Sequence, residues 1–183
     1  MKNTKITLIP LEDGDREQFI LDNQWAFKHG ATEEFGMRDD HIDEDGEIIS
    51  RETIESCIDD PSSETYRIVK DGRKVGGVIL KIDKITNRNE LEILFTLPGE
   101  HSKGIGYEAW QAVEALHPET EVWETCTPYF EKRNIHFYVN KCGFKIDEFW
   151  CEHFTPKHEI NKEKEENFDE GPDEMFHFVK IMK

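Results

Sequence analysis

Apolar and polar positions change period several times along the chain. Lys5 to Leu11, KITLIPL, alternates and is bounded by Pro10 and Asp13, which predicts a first strand. DREQFILDNQWAFKHG follows with helical spacing through Phe19, Ile20, Trp25 and Phe27 and stops at Gly30. TEEFGMRDDHIDEDGEII is acidic and irregular and reads as a loop or short helical turns. Ser50 is placed to cap a second helix, SRETIESCIDD, which ends before Pro61.

TYRIVKDGRKVGGVILKIDK then reads as a hairpin, two β-rich runs around the tight-turn pair Asp71-Gly72. Asn89 to Pro98, NELEILFTLP, opens with alternating glutamates and becomes apolar, as a buried central strand does. Helix GIGYEAWQAVEAL, strand EVWETCT, helix RNIHFYVNKCGF, strand KIDEFWCEHF, a polar loop and a last strand MFHFVKIM complete the order. That order is β-α-α-β-β-β-α-β-α-β-β. It predicts a mixed α/β (α+β) fold, about seven strands in a twisted sheet flanked by about four helices. With no internal repeat and no linker, residues 1–183 read as a single domain.

Charge narrows the partners. The formal net charge is −17, so nucleic acid and anionic membrane are excluded as expected partners and cationic ligands are favoured. No apolar run approaches the ~20 residues of a bilayer span, and MKNTKITLIP lacks the apolar core of a signal peptide. The four cysteines show no CxxC spacing, which suits reduced thiols and a cytoplasmic location.

One turn carries candidate chemistry. HSKGIGYEAW follows a strand and opens a helix. The first turn of a helix offers unpaired N–H groups and a partial positive charge. Gly104 and Gly106 would let a pyrophosphate approach the backbone, and Lys103 adds a positive charge. The spacing is neither GxGxxG nor GK[ST].

LEILFTLPGEHSKGIGYEAW resembles the acetyl-CoA-binding motif of the GNAT N-acetyltransferase family: an apolar strand, a proline, then Arg/Gln-x-x-Gly-x-Gly/Ala opening a helix. Gly104 and Gly106 stand in the two glycine positions. His101 takes the place usually held by Arg or Gln, and Ser102 that of a frequent glycine. NIHFYVNKCGF is similar to a second family segment. Counted forward from Asn134, the family tyrosine falls at Tyr138; counted back from Gly143, it falls at Val139. One residue is about 100° of helix rotation.

The resemblance implies a GNAT-like fold and transfer of acetyl from acetyl-CoA, a co-substrate, to a primary amine, with no metal. It implies that backbone groups of Leu94, Phe95 and Thr96 pair with the pantetheine amides like an added strand. Lys103, Gly104, Ile105 and Gly106 would hold the pyrophosphate with their N–H groups, beside His101 and Ser102. The thioester would lie where two central strands part. Tyr138 is the candidate acid, or else a core or groove aromatic. Glu90 matches a strand glutamate of the family and is the candidate base; Glu92 shares its face, and Glu124 on the next strand is a third choice. Asn134 caps a helix or touches cofactor, with Lys132 and Arg133 near for the adenosine phosphate.

The acceptor that the resemblance implies is a small-molecule or peptide amine, which Glu33, Glu34, Asp39, Asp40, Asp43, Glu44, Asp45 and Glu47 would draw. Two alternatives stand beside this reading. One is a catalytically degenerate GNAT-fold module that binds acyl-CoA. The other is a calcium-responsive acidic protein, because His41 to Glu52 fits an EF-hand loop at Asp43, Asp45, Gly46, Ile48 and Glu52, though not at His41. An exposed last strand would allow a homodimer.

Overall fold

A computed structural model describes residues 5–31, 46–100, 103–151, 153–154 and 174–182. The chain divides into two compact units, Met1–Thr120 and Glu121–Lys183. Among the described residues there are seven strands and four α-helices, in the order expected from the hydrophobic pattern.

The first unit holds β1 (Thr7–Pro10), α1 (Arg16–His29), α2 (Arg51–Asp59), β2 (Ser63–Lys70), β3 (Arg73–Lys81), β4 (Arg88–Thr96) and α3 (Ile105–Leu116). Strands β1 to β4 pair in sequence order, all antiparallel. The local signals behave as chemistry requires. Ser50 accepts a hydrogen bond from the Thr53 N–H at 3.1 Å and caps α2. Asp71 and Gly72 both have positive φ, 52° and 74°, the pair of left-handed residues that a tight hairpin turn needs.

Both faces of this sheet are covered. Phe19, Ile20 and Ala26 of α1 and Ile54 of α2 pack on Ile79, Ile93 and Phe95. Ile105 and Ala109 of α3 pack with Ile6, Ile68 and Val75 on the other side. Between α1 and the sheet lies a buried ion pair: Arg67, 2% exposed, reaches Asp15 at 2.7 Å and Asp22 at 2.8 Å. Its guanidinium also stands 5.0 Å from the Phe19 ring centroid. Trp25, one of the residues whose spacing marks the helix in the sequence, is exposed. It lies off the inward face that α1 builds from Phe19, Ile20, Asn23 and Ala26.

Register in β4 departs from simple alternation. Ile79 stands opposite Ile93, but Leu80 stands opposite Leu91, so Glu92 is the extra residue of a β-bulge. A bulge reverses which residues share a face. Ile93 and Phe95 point to the α1/α2 side, whereas Leu94 packs in the α3 group. Below the bulge the parity flips, and Glu90 and Glu92 also point to the α2 side.

The second unit holds β5 (Val122–Pro128), α4 (Lys132–His136), β6 (Lys145–Trp150) and β7 (Met175–Ile181). Here β7 pairs with β5 along one edge and with β6 along the other, both antiparallel. The last strand is therefore not an exposed edge. The expectation that it pairs between subunits fails, because β6 already occupies its second side. Among the described residues no helix is long and apolar enough to cross a membrane.

Candidate functional site

The bulge gives Glu92 an environment that strand alternation alone would not. Its Oε2 is buried and has no hydrogen-bond partner. The Cys57 thiol of α2 is a neighbour of the carboxylate. Burial pushes the Glu92 pKa up, and the charge of Glu90 adds to it; Lys81 and the neighbouring Cys57 thiol act the other way without winning. The Cys57 thiol is pushed up to about 12, first by burial and then by the Glu92 charge. Lys81, opposite Glu90 on β3, is held at 2.9 Å by Asp60, just past the end of α2. Its pKa is raised, chiefly by that contact.

Of the two strand glutamates, Glu92 has the buried, proton-hungry carboxylate, and Glu90 is the neighbouring charge that keeps it so. Cys57 was not legible as part of this group. Its spacing from Ile54 and Ile58 marks an inward helix position, but its nearness to Glu92 depends on the bulge.

The turn before α3 has the backbone form expected of it. The Glu100 N–H closes on the Leu97 carbonyl at 3.0 Å, and Gly99 has φ 84°. Gly104, the N-cap of α3, has φ 76°, a left-handed conformation that favours glycine. The first bond of the helix runs from Glu108 N–H to the Gly104 carbonyl at 3.0 Å. The N–H groups of Ile105, Gly106 and Tyr107 thus have no acceptor inside the helix.

Lys103 is less free than the sequence suggested. Its ammonium lies 3.2 Å from the Glu100 carboxylate, which Arg73 also approaches at 3.9 Å. His101 and Ser102 lie outside the described residues. Leu94, Phe95 and Thr96 stand opposite Val78, Gly77 and Gly76 of β3. The Phe95 ring meets Phe19 edge-on at 5.2 Å.

In the second unit, Tyr138 is buried, with Phe137, Phe144 and Phe178 ring centroids 5.5 to 5.7 Å away. Its hydroxyl pairs with Thr125, and burial holds its pKa well above the usual tyrosine range. The helix around it is not regular. After α4 the backbone widens to a π-helical turn, Phe137–Lys141, where the Cys142 N–H reaches the Phe137 carbonyl at 3.0 Å. A π-turn holds one residue more than an α-turn. That extra residue is the discrepancy between counting forward from Asn134 and counting back from Gly143.

Asn134 does not cap α4. Glu131 occupies the cap position, and the Asn134 amide donates to Thr127 Oγ1 at 3.3 Å. Glu124 lies 3.8 Å from His177 Nε2, while the other ring nitrogen of His177 faces Asp147 at 3.4 Å.

Of the acidic stretch, Glu33, Glu34, Asp39, Asp40, His41, Asp43, Glu44 and Asp45 lie outside the described residues. Glu47 is described and meets Lys28 at 3.5 Å. Glu52 is exposed in the first turn of α2.

The profile of the Acetyltransferase (GNAT) family matches residues 20–144. The chain belongs to the GNAT acetyltransferase family. A relative in Bacillus subtilis (strain 168), the uncharacterized protein YrkN, is 43% identical over 98% of this GNAT chain and 95% of its own length. Solved structures share the fold at low identity. A spermidine N-acetyltransferase from Vibrio cholerae, in complex with CoA and spermine, aligns with TM-score 0.64 and 15% identity over 97% of this chain and 95% of that one. The ribosomal-protein-S18-alanine N-acetyltransferase of Escherichia coli aligns with TM-score 0.65 and 12% identity over 97% and 94%. The GNAT fold expected from the glycine turn and the element order is therefore the fold of this chain.

Proposed function

We propose that this GNAT chain transfers acetyl from acetyl-CoA to the primary amine of a small cationic acceptor, with Glu92 as the proton acceptor. The observation that carries the reading is the β4 bulge, which places Glu92, with its raised pKa, on the strand that leads into the expected acetyl-CoA turn. A primary amine is mostly protonated near neutral pH, with a pKa of ~10.4 when unperturbed. It must lose a proton before it attacks a thioester. A carboxylate whose pKa is raised accepts that proton more readily than an ordinary glutamate, directly or through one water.

Acetyl-CoA supplies the acyl group and leaves as a thiol. The turn N–H groups of Ile105 and Gly106, with Gly104 allowing close approach, are the proposed pyrophosphate contacts. Backbone groups of Leu94, Phe95 and Thr96 are the proposed contacts for the pantetheine amides. Tyr138, kept protonated by its burial, is the proposed donor to the leaving thiolate. Glu90 acts by keeping Glu92 basic.

The net charge of −17 favours accumulation of cations around the protein. With a spermidine N-acetyltransferase among the structural neighbours, polyamines are the first acceptors to test, ahead of peptide amines. The location proposed is the cytoplasm, in keeping with four cysteines that form no disulfide.

The test is release of free thiol from acetyl-CoA across a panel of amines, for the unaltered protein and Glu92→Gln. Turnover with at least one amine, falling by about 10²–10⁴ in Glu92→Gln, is expected for loss of a general base. Acetyl-CoA binding without turnover of any amine would replace the enzyme with an acyl-CoA-binding module.

A further inference from the structure

The turn before α3 brings together three charged side chains from separate stretches of chain. Two backbone devices place them. The Leu97 N–H donates to the Val75 carbonyl at 2.9 Å, which fastens the end of β4 beside the start of β3, where Arg73 stands. Pro98 and Gly99 then reverse the chain, with φ 84° at Gly99 and the Glu100 N–H on the Leu97 carbonyl at 3.0 Å, the pattern of a type II turn. Glu100 is thereby held between Arg73 and Lys103. Lys103 Nζ donates to Glu100 Oε2 at 3.2 Å, and Arg73 Nη1 stands 3.9 Å from Oε1. The Glu100 side chain is 17% exposed, against 55% for Lys103 and 69% for Arg73. The anion is the fixed member of the trio, and the two cations are the members that reach solvent.

We propose that Arg73 and Lys103 form a two-cation clamp for a phosphate group of acetyl-CoA, gathered by their shared contact with Glu100. The proposal rests on acetyl-CoA binding at the α3 turn. Charge gives the reason for a clamp. The net charge is −17, and the diphosphate and phosphomonoester of the cofactor are anions, so the chain as a whole repels them. The N–H groups of the helix start supply only partial charges. Two cations against one carboxylate leave net positive charge at the mouth of the turn. Screening confines such a field to ~8 Å at physiological salt, so cations at the turn itself count and distant ones do not. Lys74, next along β3, is not spare, because Asp15 holds it at 2.8 Å. An exposed ion pair holds its members weakly. A phosphate can therefore draw both long side chains off Glu100 and accept hydrogen bonds from each.

Titration calorimetry with acetyl-CoA on the full chain tests the clamp. Arg73→Gln should weaken binding by about fivefold or more, the effect of one unit charge ~4 Å from a phosphate charge in water. Lys84→Gln removes the same charge past the far end of β3, roughly 25 Å away by the rise of a strand, and should leave affinity unchanged. Arg73→Gln with Lys103→Gln leaves Glu100 as a bare carboxylate beside the phosphate and should lose more than either change alone. Adding Glu100→Gln to that pair should restore part of the loss, a recovery that a merely structural role for Glu100 would not give.

Acetyl-dephospho-CoA, which lacks the phosphomonoester, locates the contact. The same loss with this ligand assigns the clamp to the diphosphate, and no loss assigns it to the phosphomonoester; both support it. Equal affinity of Arg73→Gln and the unaltered protein for acetyl-CoA overturns the clamp while acetyl-CoA binding stands. An equal loss in Arg73→Gln and Lys84→Gln also overturns it, because net charge then accounts for the effect. No binding by the unaltered protein overturns the acetyl-CoA reading and the clamp together.

Discussion

Replacing Gly104 by aspartate places a carboxylate at the N-cap of α3, where the pyrophosphate of acetyl-CoA is proposed to bind. Two effects follow, and they can be separated. The first is backbone strain. Gly104 has φ 76°, and a non-glycine residue there costs about 1–2 kcal/mol, with Asn and Asp the most tolerant. A Cβ built at this position has room, its nearest neighbour being Glu108 Oε1 at 3.9 Å. For a chain of this length each kcal/mol lowers Tm by roughly 2–4 °C.

The second effect is electrostatic. A negative charge about 4 Å from a phosphate charge costs ~1 kcal/mol at the dielectric constant of water and ~4 kcal/mol at an effective value of 20. Each 1.4 kcal/mol is tenfold in affinity, so the loss is about fivefold in the wetter limit and several-hundredfold in the drier one. Gly104→Asn carries the same strain without the charge. Isothermal titration of acetyl-CoA should show binding near the unaltered Kd in Gly104→Asn and a loss of about fivefold or more in Gly104→Asp. Thermal melting should show the same small drop in both. Equal affinity in the Asp and Asn variants would refute phosphate contact at this turn. Equal loss in both would trace the effect to the backbone alone.

Further outcomes concern the frame that carries the site. A Cβ on Gly76 would fall inside the van der Waals radius of the Phe95 carbonyl oxygen, and one on Gly77 would lie 2.6 Å from Phe95 Cε1. Alanine at Gly76 should therefore destabilise by more than the 1–3 kcal/mol typical of overpacking, since backbone cannot swing aside as a ring can; denaturant melts that match the unaltered protein would disprove the packing.

Arg67→Met strands Asp15 and Asp22 without their buried partner and should cost ~3–5 kcal/mol at neutral pH. Burial raises the Asp15 pKa, but the Arg67 and Lys74 contacts outweigh it and leave it below the usual value. Its stabilisation is present above the unfolded-state pKa and lost as pH falls through the folded one. Acid melts of Arg67→Met should show less of that loss, and an unchanged acid dependence would contradict the pairing.

Asn23 is fully buried on α1, with neither amide atom hydrogen-bonded. Asn23→Leu removes an unsatisfied amide of similar volume and should raise stability by about 1–3 kcal/mol; a fall in Tm would reveal a partner for the amide.

What could be foreseen from the residues was local. Helix starts and stops at Ser50, Gly104 and Gly143, the Asp71-Gly72 turn and the order of strands and helices depend on neighbours within about four positions, where sequence and backbone conformation are tightly linked. The glycine turn after β4 was legible for the same reason, since its shape is set by φ at Gly99 and Gly104.

What only the tertiary structure decided was non-local. Alternation along NELEILF would put Glu92 on the face of Leu94; the bulge, which exists only relative to the register of β3, puts it beside Cys57 instead. The π-turn at Phe137–Lys141 absorbs a residue that two ways of counting could not reconcile. Lys103 looked like a mobile charge until Glu100 was found across the turn. The last strand looked like a free edge until β6 was found folded back against it. Register, bulges and edges are properties of paired strands, and a single strand's sequence carries its periodicity but not its partner's offset.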